Sequence, residues 1–192
     1  MKRPFALATA MVGIGLTAGV AGVFSLHSPA KPVAVPSAWS ETAWPFAMDQ
    51  WGVGKAFVCA PANCGTRVAL YVRPKIGFCN CSTGVADDTE LERVADTELV
   101  TPRALAQAAG RPIKVGWMVG LSRPYRVADD ESNAGLLSIA FNDECDALVA
   151  LATTGDAEPS VVEPTILAFL NSMPTVLWIK KELGLEFVRR DW

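Results

Sequence analysis

GKAFVC at Gly54–Cys59 and RVALYVRPKI at Arg67–Ile76 are two runs of apolar, β-branched and aromatic residues. Between them lie Pro61, Asn63 and Gly65, residues that break regular structure. Two strand-like runs on either side of such a break predict a β-hairpin with a longer loop. Pro74 predicts that the second strand bends or ends there, or lies at a sheet edge, because proline has no N–H for a ladder. Cys59 and Cys64 flank the loop, and Cys79 and Cys81 follow the second run, so four of the five cysteines crowd around this hairpin. The fifth is Cys145.

Downstream, Asp87 to Asp96 reads as a short helix, with acids in its first turn and Leu91, Val94 and Ala95 at helical spacing. Thr101-Pro102-Arg103 should start a second helical piece, Ala104 to Ala109, closed by Gly110. Ile113–Leu121, Leu136–Phe141 and Ala147–Thr154 read as strands, separated by the polar segments Asp129–Asn133 and Asn142–Asp146. From Val161 to Leu183, residues Val162, Ile166, Phe169, Leu170, Leu177 and Ile179 form a helical stripe. Pro164 fits the first turn of this helix, whereas Pro174 should kink or divide it. The end, Arg189 to Trp192, reads as an appended strand or a tail. The order predicts an α+β fold, an antiparallel sheet flanked by helices in an α/β/α sandwich-like arrangement, with a long C-terminal helix.

Upstream, Met1-Lys2-Arg3 precedes an uncharged apolar run, residues 4–26, rich in Gly and Ala. A basic head before such a run is the physical signature of export. Residues 1–30 are expected to be either a cleaved signal peptide ending near Ala30 or an uncleaved membrane anchor, since the run is long enough to span a bilayer. In both cases the basic end stays in the cytoplasm and the domain lies outside, periplasmic or secreted. Residues 31–43, with their prolines and no period, read as a tether. Residues 44–192 read as a single domain opened by Trp44, Phe46 and Trp51, an aromatic group expected in the core. Trp117, Met118 and Trp178 are expected there too.

Charge narrows the function. Lys2 and Arg3 are the only charged residues before Lys31, so 15 basic and 20 acidic residues remain beyond the leader, a net charge of −5. An acidic domain without a basic stripe is a poor nucleic-acid binder. The single histidine, His27, lies in the leader or at its edge. A domain cut after Ala30 therefore has no imidazole for Ser-His-Asp or Cys-His catalysis, nor for a histidine-containing metal site.

The run Leu148–Thr154, then a polar break, then Ile166–Met173 resembles the end of Mog1/PsbP-like domains, which finish with a strand and a helix of this kind. The resemblance covers about the last forty residues and the element order. It implies an α/β/α sandwich and a family known for binding and assembly, and it supplies no catalytic motif. The cysteines fall outside the family pattern.

In an oxidising compartment, closely spaced cysteines form disulfides by default. Cys59–Cys64 is the expected pair. Cys79–Cys81 would close a small strained ring, and Cys145 is an alternative partner for either of them; because five is odd, at least one thiol is left unpaired or bonded between molecules. Two sharper readings compete. Cys59, Cys64, Cys79 and Cys81 could form a thiolate site for zinc or copper(I), as in a metallochaperone. Cys79 and Cys81 could instead be a redox pair of a thiol-disulfide oxidoreductase, its thiol helped by the helix that follows but opposed by Asp87, Asp88 and Glu90. The acids from Asp87 to Glu98 lack calcium-loop spacing and read as a solvated face. The leading expectation is a non-catalytic binding or assembly factor of the bacterial envelope. It would need no cofactor, would act on another envelope protein, and would touch the membrane only through an uncleaved leader.

Overall fold

The computed structural model describes residues 38–128 and 134–185, all within one unit that spans Pro36–Trp192. Residues 1–37, 129–133 and 186–192 lie outside the described residues, and with them the readings of the leader, of the polar segment Asp129–Asn133 and of Arg189 to Trp192.

The expected hairpin is β2 (Lys55–Cys59) and β3 (Val68–Lys75), joined through the short helix α1 (Pro61–Cys64). Ahead of it, β1 (Trp39–Thr42) pairs antiparallel with β2. This corrects the reading of residues 31–43 as a tether throughout: four of them extend the sheet.

After β3 comes α2 (Asp88–Val94), whose N-cap is Asp87; its carboxylate accepts the Glu90 N–H at 2.8 Å. A 3₁₀ turn follows at Thr97–Leu99. Ala104–Ala106, read above as helix, is strand β4. It pairs with Tyr125–Val127, and that ladder overrides the high helical propensity of Ala-Leu-Ala.

The run Ile113–Leu121, read above as one strand, is two. β5 (Arg111–Val115) turns at Gly116-Trp117 into β6 (Met118–Val127), with Val115 opposite Met118. Gly116 has φ +59°, the backbone that a two-residue hairpin turn of type II′ requires at its first position. Trp117, expected in the core, sits exposed at this tip, while Met118 is buried. The remaining strands are β7 (Gly135–Asp143) and β8 (Asp146–Thr153), closed by a two-residue turn at Glu144-Cys145.

The C-terminal stripe forms α3 (Pro159–Leu170) and α4 (Met173–Glu182), bent by 71° at the break before Pro174. Pro164 lies inside α3 and not in its first turn, because the helix begins at Pro159. No single described helix is long and apolar enough to cross a membrane.

The described strands make one open antiparallel sheet in the order β1-β2-β3-β8-β7-β6-β4, with β5 also paired to β6. Two prolines test this order. β2 stops opposite Val72, so Pro74 lies where β3 has a partner on one side only. Pro124 in β6 falls between the stretch paired with β5 and the stretch paired with β4. In both places the missing N–H costs no ladder bond on a covered side.

Alternation divides the sheet's side chains between two faces. Leu70, Val72, Leu137, Ile139, Phe141, Leu148 and Ala150 meet Val162, Ile166, Leu170 and Ile179 of α3 and α4 in the main core. On the other face Leu121, Ala140, Ala147 and Val149 meet Leu91 and Val94 of α2, with Cys79 and Val85. The fold is α+β with helices on both faces of an antiparallel sheet.

Candidate functional site: an aromatic cleft and a cysteine loop

At the β1–β2 end of the main core, the helical layer leaves a cleft of about 650 Å³. Trp39 and Glu41 line it from β1, and Lys55 and Phe57 from β2, because alternate residues of a strand share one face. α3 contributes Thr165, Ala168 and Phe169, and α4 contributes Pro174, Thr175 and Trp178. The Phe169 ring is stacked on Trp39 with centroids 4.8 Å apart, and meets Phe57 edge-on, also at 4.8 Å. These rings fix one another, so the wall is formed before any ligand arrives.

At the rim, Lys55 Nζ donates to Glu41 at 2.7 and 2.9 Å and lies 5.8 Å from the centre of the Trp178 ring. The pair leaves the rim near neutral. Ser172 and Thr175 hydroxyls, 3.0 Å apart, supply the other polar atoms at the α3–α4 break. Asn171 fixes that break: its side chain accepts from the Gly116 N–H at 2.9 Å and donates to the Lys114 carbonyl at 3.1 Å. An apolar, aromatic concavity with few polar atoms is built to take up apolar surface.

A second, polar hollow of about 470 Å³ lies on the α2 face. Arg73 and Lys75 point there from β3 and are 2% and 4% exposed, unusual for such residues in a strand interior. Both bind Asp96, expected above on a solvated face but buried here. Arg73 also donates to Asp49 at 2.8 Å, and Lys75 to the Val94 carbonyl at 2.8 Å. Lys75 Nζ lies beside the packed rings of Trp51 and Phe78, 5.6 and 5.4 Å from their centres. Two cations face two carboxylates with their bonds made, an arrangement that holds β3 to the segment after α2. Trp44 and Phe46 pack on Tyr71 beside it, half-buried on this outer face and outside the main core.

The cysteines form two bonds. Cys59–Cys64 spans α1, with Cα atoms 6.1 Å apart. Cys81–Cys145 joins the loop after β3 to the β7–β8 turn, with Cα atoms 4.2 Å apart. Cys79 is the free thiol and is buried. The loop around it is wound on Asn80: the side-chain oxygen accepts from the Ser82 and Thr83 N–H groups, and the backbone carbonyl accepts from Gly84. Burial, with Glu90 and Asp146 nearby, pushes the Cys79 thiol pKa up. The two alternative cysteine sets are not assembled. Cys59, Cys64, Cys79 and Cys81 do not converge, and the described residues contain no cluster of three or more His, Cys, Asp or Glu able to hold a metal. Cys79 and Cys81 are not bonded to each other.

The cleft was missed by sequence reasoning because its four rings come from four separate elements. The sequence places Phe57 in a strand-like run, Phe169 on the helical stripe and Trp178 in the expected core, and none of these positions points to a cleft. A sharper signal was available in Phe169 and Trp178, which flank the Pro174 break on the apolar stripe. No model of a known protein family matches the chain, and a search of curated proteins gives no match. The disulfides themselves fit an oxidising compartment.

Proposed function

We propose that this chain is an exported, non-catalytic binding factor of the bacterial envelope, periplasmic or secreted, and that the aromatic cleft is its binding site. The cleft carries the reading. It offers Trp39, Phe57, Phe169 and Trp178 to one occupant, an apolar side chain presented by another envelope protein. Large aromatic side chains dominate the binding energy of such sites, and a neutral polar rim supplies orientation rather than strong attraction. The lining contains no cysteine or histidine, and its one carboxylate, Glu41, is already bonded to Lys55. Export is supported by the basic head and apolar run of the leader and by the two disulfides. The likeness of the C-terminal strand and helix to Mog1/PsbP-like domains points the same way.

The test uses Trp178, which is half-buried and lies at the wall rather than the centre of the core. Trp178→Ala should keep the thermal transition within a few degrees and lose binding of 1-anilinonaphthalene-8-sulfonate by at least tenfold. A benzophenone amino acid in place of Thr165 should cross-link one envelope protein in intact cells, whereas the same group in place of the exposed Leu105 should not. Unchanged dye binding in Trp178→Ala, or equal cross-linking from both positions, overturns the reading.

A further inference from the structure

Three cysteines come together where the loop after β3 reaches the β7–β8 turn, and only two of them are bonded. The Cys79 N–H donates to the Cys145 carbonyl at 3.1 Å, and the Cys79 thiol donates to the neighbouring Glu144 carbonyl at 3.2 Å. A direct main-chain hydrogen bond holds the two residues side by side. Residues so placed are within the reach of a disulfide. Cys145 therefore has two possible partners, Cys81, to which it is bonded, and Cys79. The two differ in environment, since Cys79 is buried at 6% exposure while Cys81 is exposed.

We propose that Cys79, Cys81 and Cys145 form an intramolecular thiol–disulfide exchange site that converts the buried thiol into an exposed one. The Cys79 thiolate attacks the Cys145 sulfur. The Cys79–Cys145 bond forms, the Cys81–Cys145 bond breaks, and the electron pair leaves on Cys81, which takes up a proton from water. No oxidant or reductant is consumed, because the chain begins and ends with one disulfide and one thiol among the three residues. The product carries its thiol at Cys81 on the surface, the form in which a cysteine enters mixed disulfides with other molecules.

Two features hold the exchange in check at rest. Burial and the carboxylates of Glu90 and Asp146 keep the Cys79 thiol protonated, with Arg93 acting in the opposite direction. The loop is also tied by the Asn80 N–H to Glu90 bond at 2.8 Å and by Arg93, which donates to the Phe78 carbonyl. Exchange is gated by loosening of this loop and by pH, since attack requires the thiolate.

The purified, folded protein treated with iodoacetamide and then peptide-mapped without reduction distinguishes the outcomes. The expected result is a label on Cys81 together with a linked Cys79–Cys145 peptide, formed faster at pH 9 than at pH 7. Cys79→Ser should lower the labelling of Cys81 at least tenfold. Label on Cys79 with Cys81–Cys145 intact overturns the proposal, as does the absence of label from the folded chain at both pH values. The Cys81→Ser variant adds a check independent of the labelling rate. Its intact mass should show no free thiol, with Cys79 bonded to Cys145. Two free thiols in a folded Cys81→Ser chain overturn the proposal.

Discussion

Arg73 grips Asp96 with two parallel hydrogen bonds, Nε to Oδ2 at 2.6 Å and Nη2 to Oδ1 at 2.7 Å, on the face of the sheet that α2 covers. Burial works against the Arg73 charge, but the bonds and charges of Asp96 and Asp49 outweigh it and hold the guanidinium pKa above its ordinary value. Asp96→Ala would leave Arg73 and Lys75 buried with half their counter-charge. It should destabilise the fold by about 3–5 kcal/mol, read as a fall in the urea midpoint at unchanged slope.

Ser138 sits at the centre of β7 with its hydroxyl buried and no hydrogen-bond partner among the described residues. Removing an unsatisfied buried polar group recovers its desolvation cost, so Ser138→Ala should stabilise the protein by about 1 kcal/mol. Thermal unfolding of the two chains side by side checks the sign.

The disulfides close loops of very different length, with partners 5 and 64 positions apart. Loop-closure entropy assigns them about 2 and about 4 kcal/mol respectively. Cys145→Ser should therefore lower stability clearly more than Cys64→Ser in matched denaturant titrations.

Glu90 accepts from Arg93 at 2.6 and 3.0 Å and from the Asn80 N–H, and chiefly the Arg93 bonds hold its pKa below the ordinary carboxylate value. A carboxylate with a depressed folded pKa stabilises fully above its unfolded pKa of about 4.3, and that stabilisation is lost as pH falls through the lower folded value. Glu90→Gln should flatten the loss of stability below about pH 4 and leave the remainder of the acid transition in place. The protection of the Asn80 amide against hydrogen exchange, taken relative to its intrinsic rate at each pH, should fall over the same window in the wild type.

Much of the fold was legible where one element carries its own signals. The β2–β3 hairpin follows from two strand-like runs around a break, and α2 from Asp87 capping an apolar spacing. What failed depended on partners distant in the chain. Ala104–Ala106 is a strand because β6 lies beside it, and Trp39–Thr42 because β2 does. The turn at Gly116 was hidden inside an unbroken apolar run, where one glycine with positive φ reverses the chain. Arg73 and Lys75 did carry a signal, two cations at strand spacing on one face, but their shared carboxylate is more than twenty positions away. The cleft needed the whole tertiary arrangement.

The Cys81–Cys145 bond also changes how far the chain must search when it folds. Lys75 of β3 lies opposite Ala147 of β8, 72 positions later in the sequence. Measured through the disulfide, Lys75 is six positions from Cys81 and Ala147 two from Cys145. Once oxidised, the chain meets this pairing as a near-local event, and folding rates rise as contacts become local. The bond therefore acts as a kinetic shortcut, letting the centre of the sheet zip outward from one covalent corner.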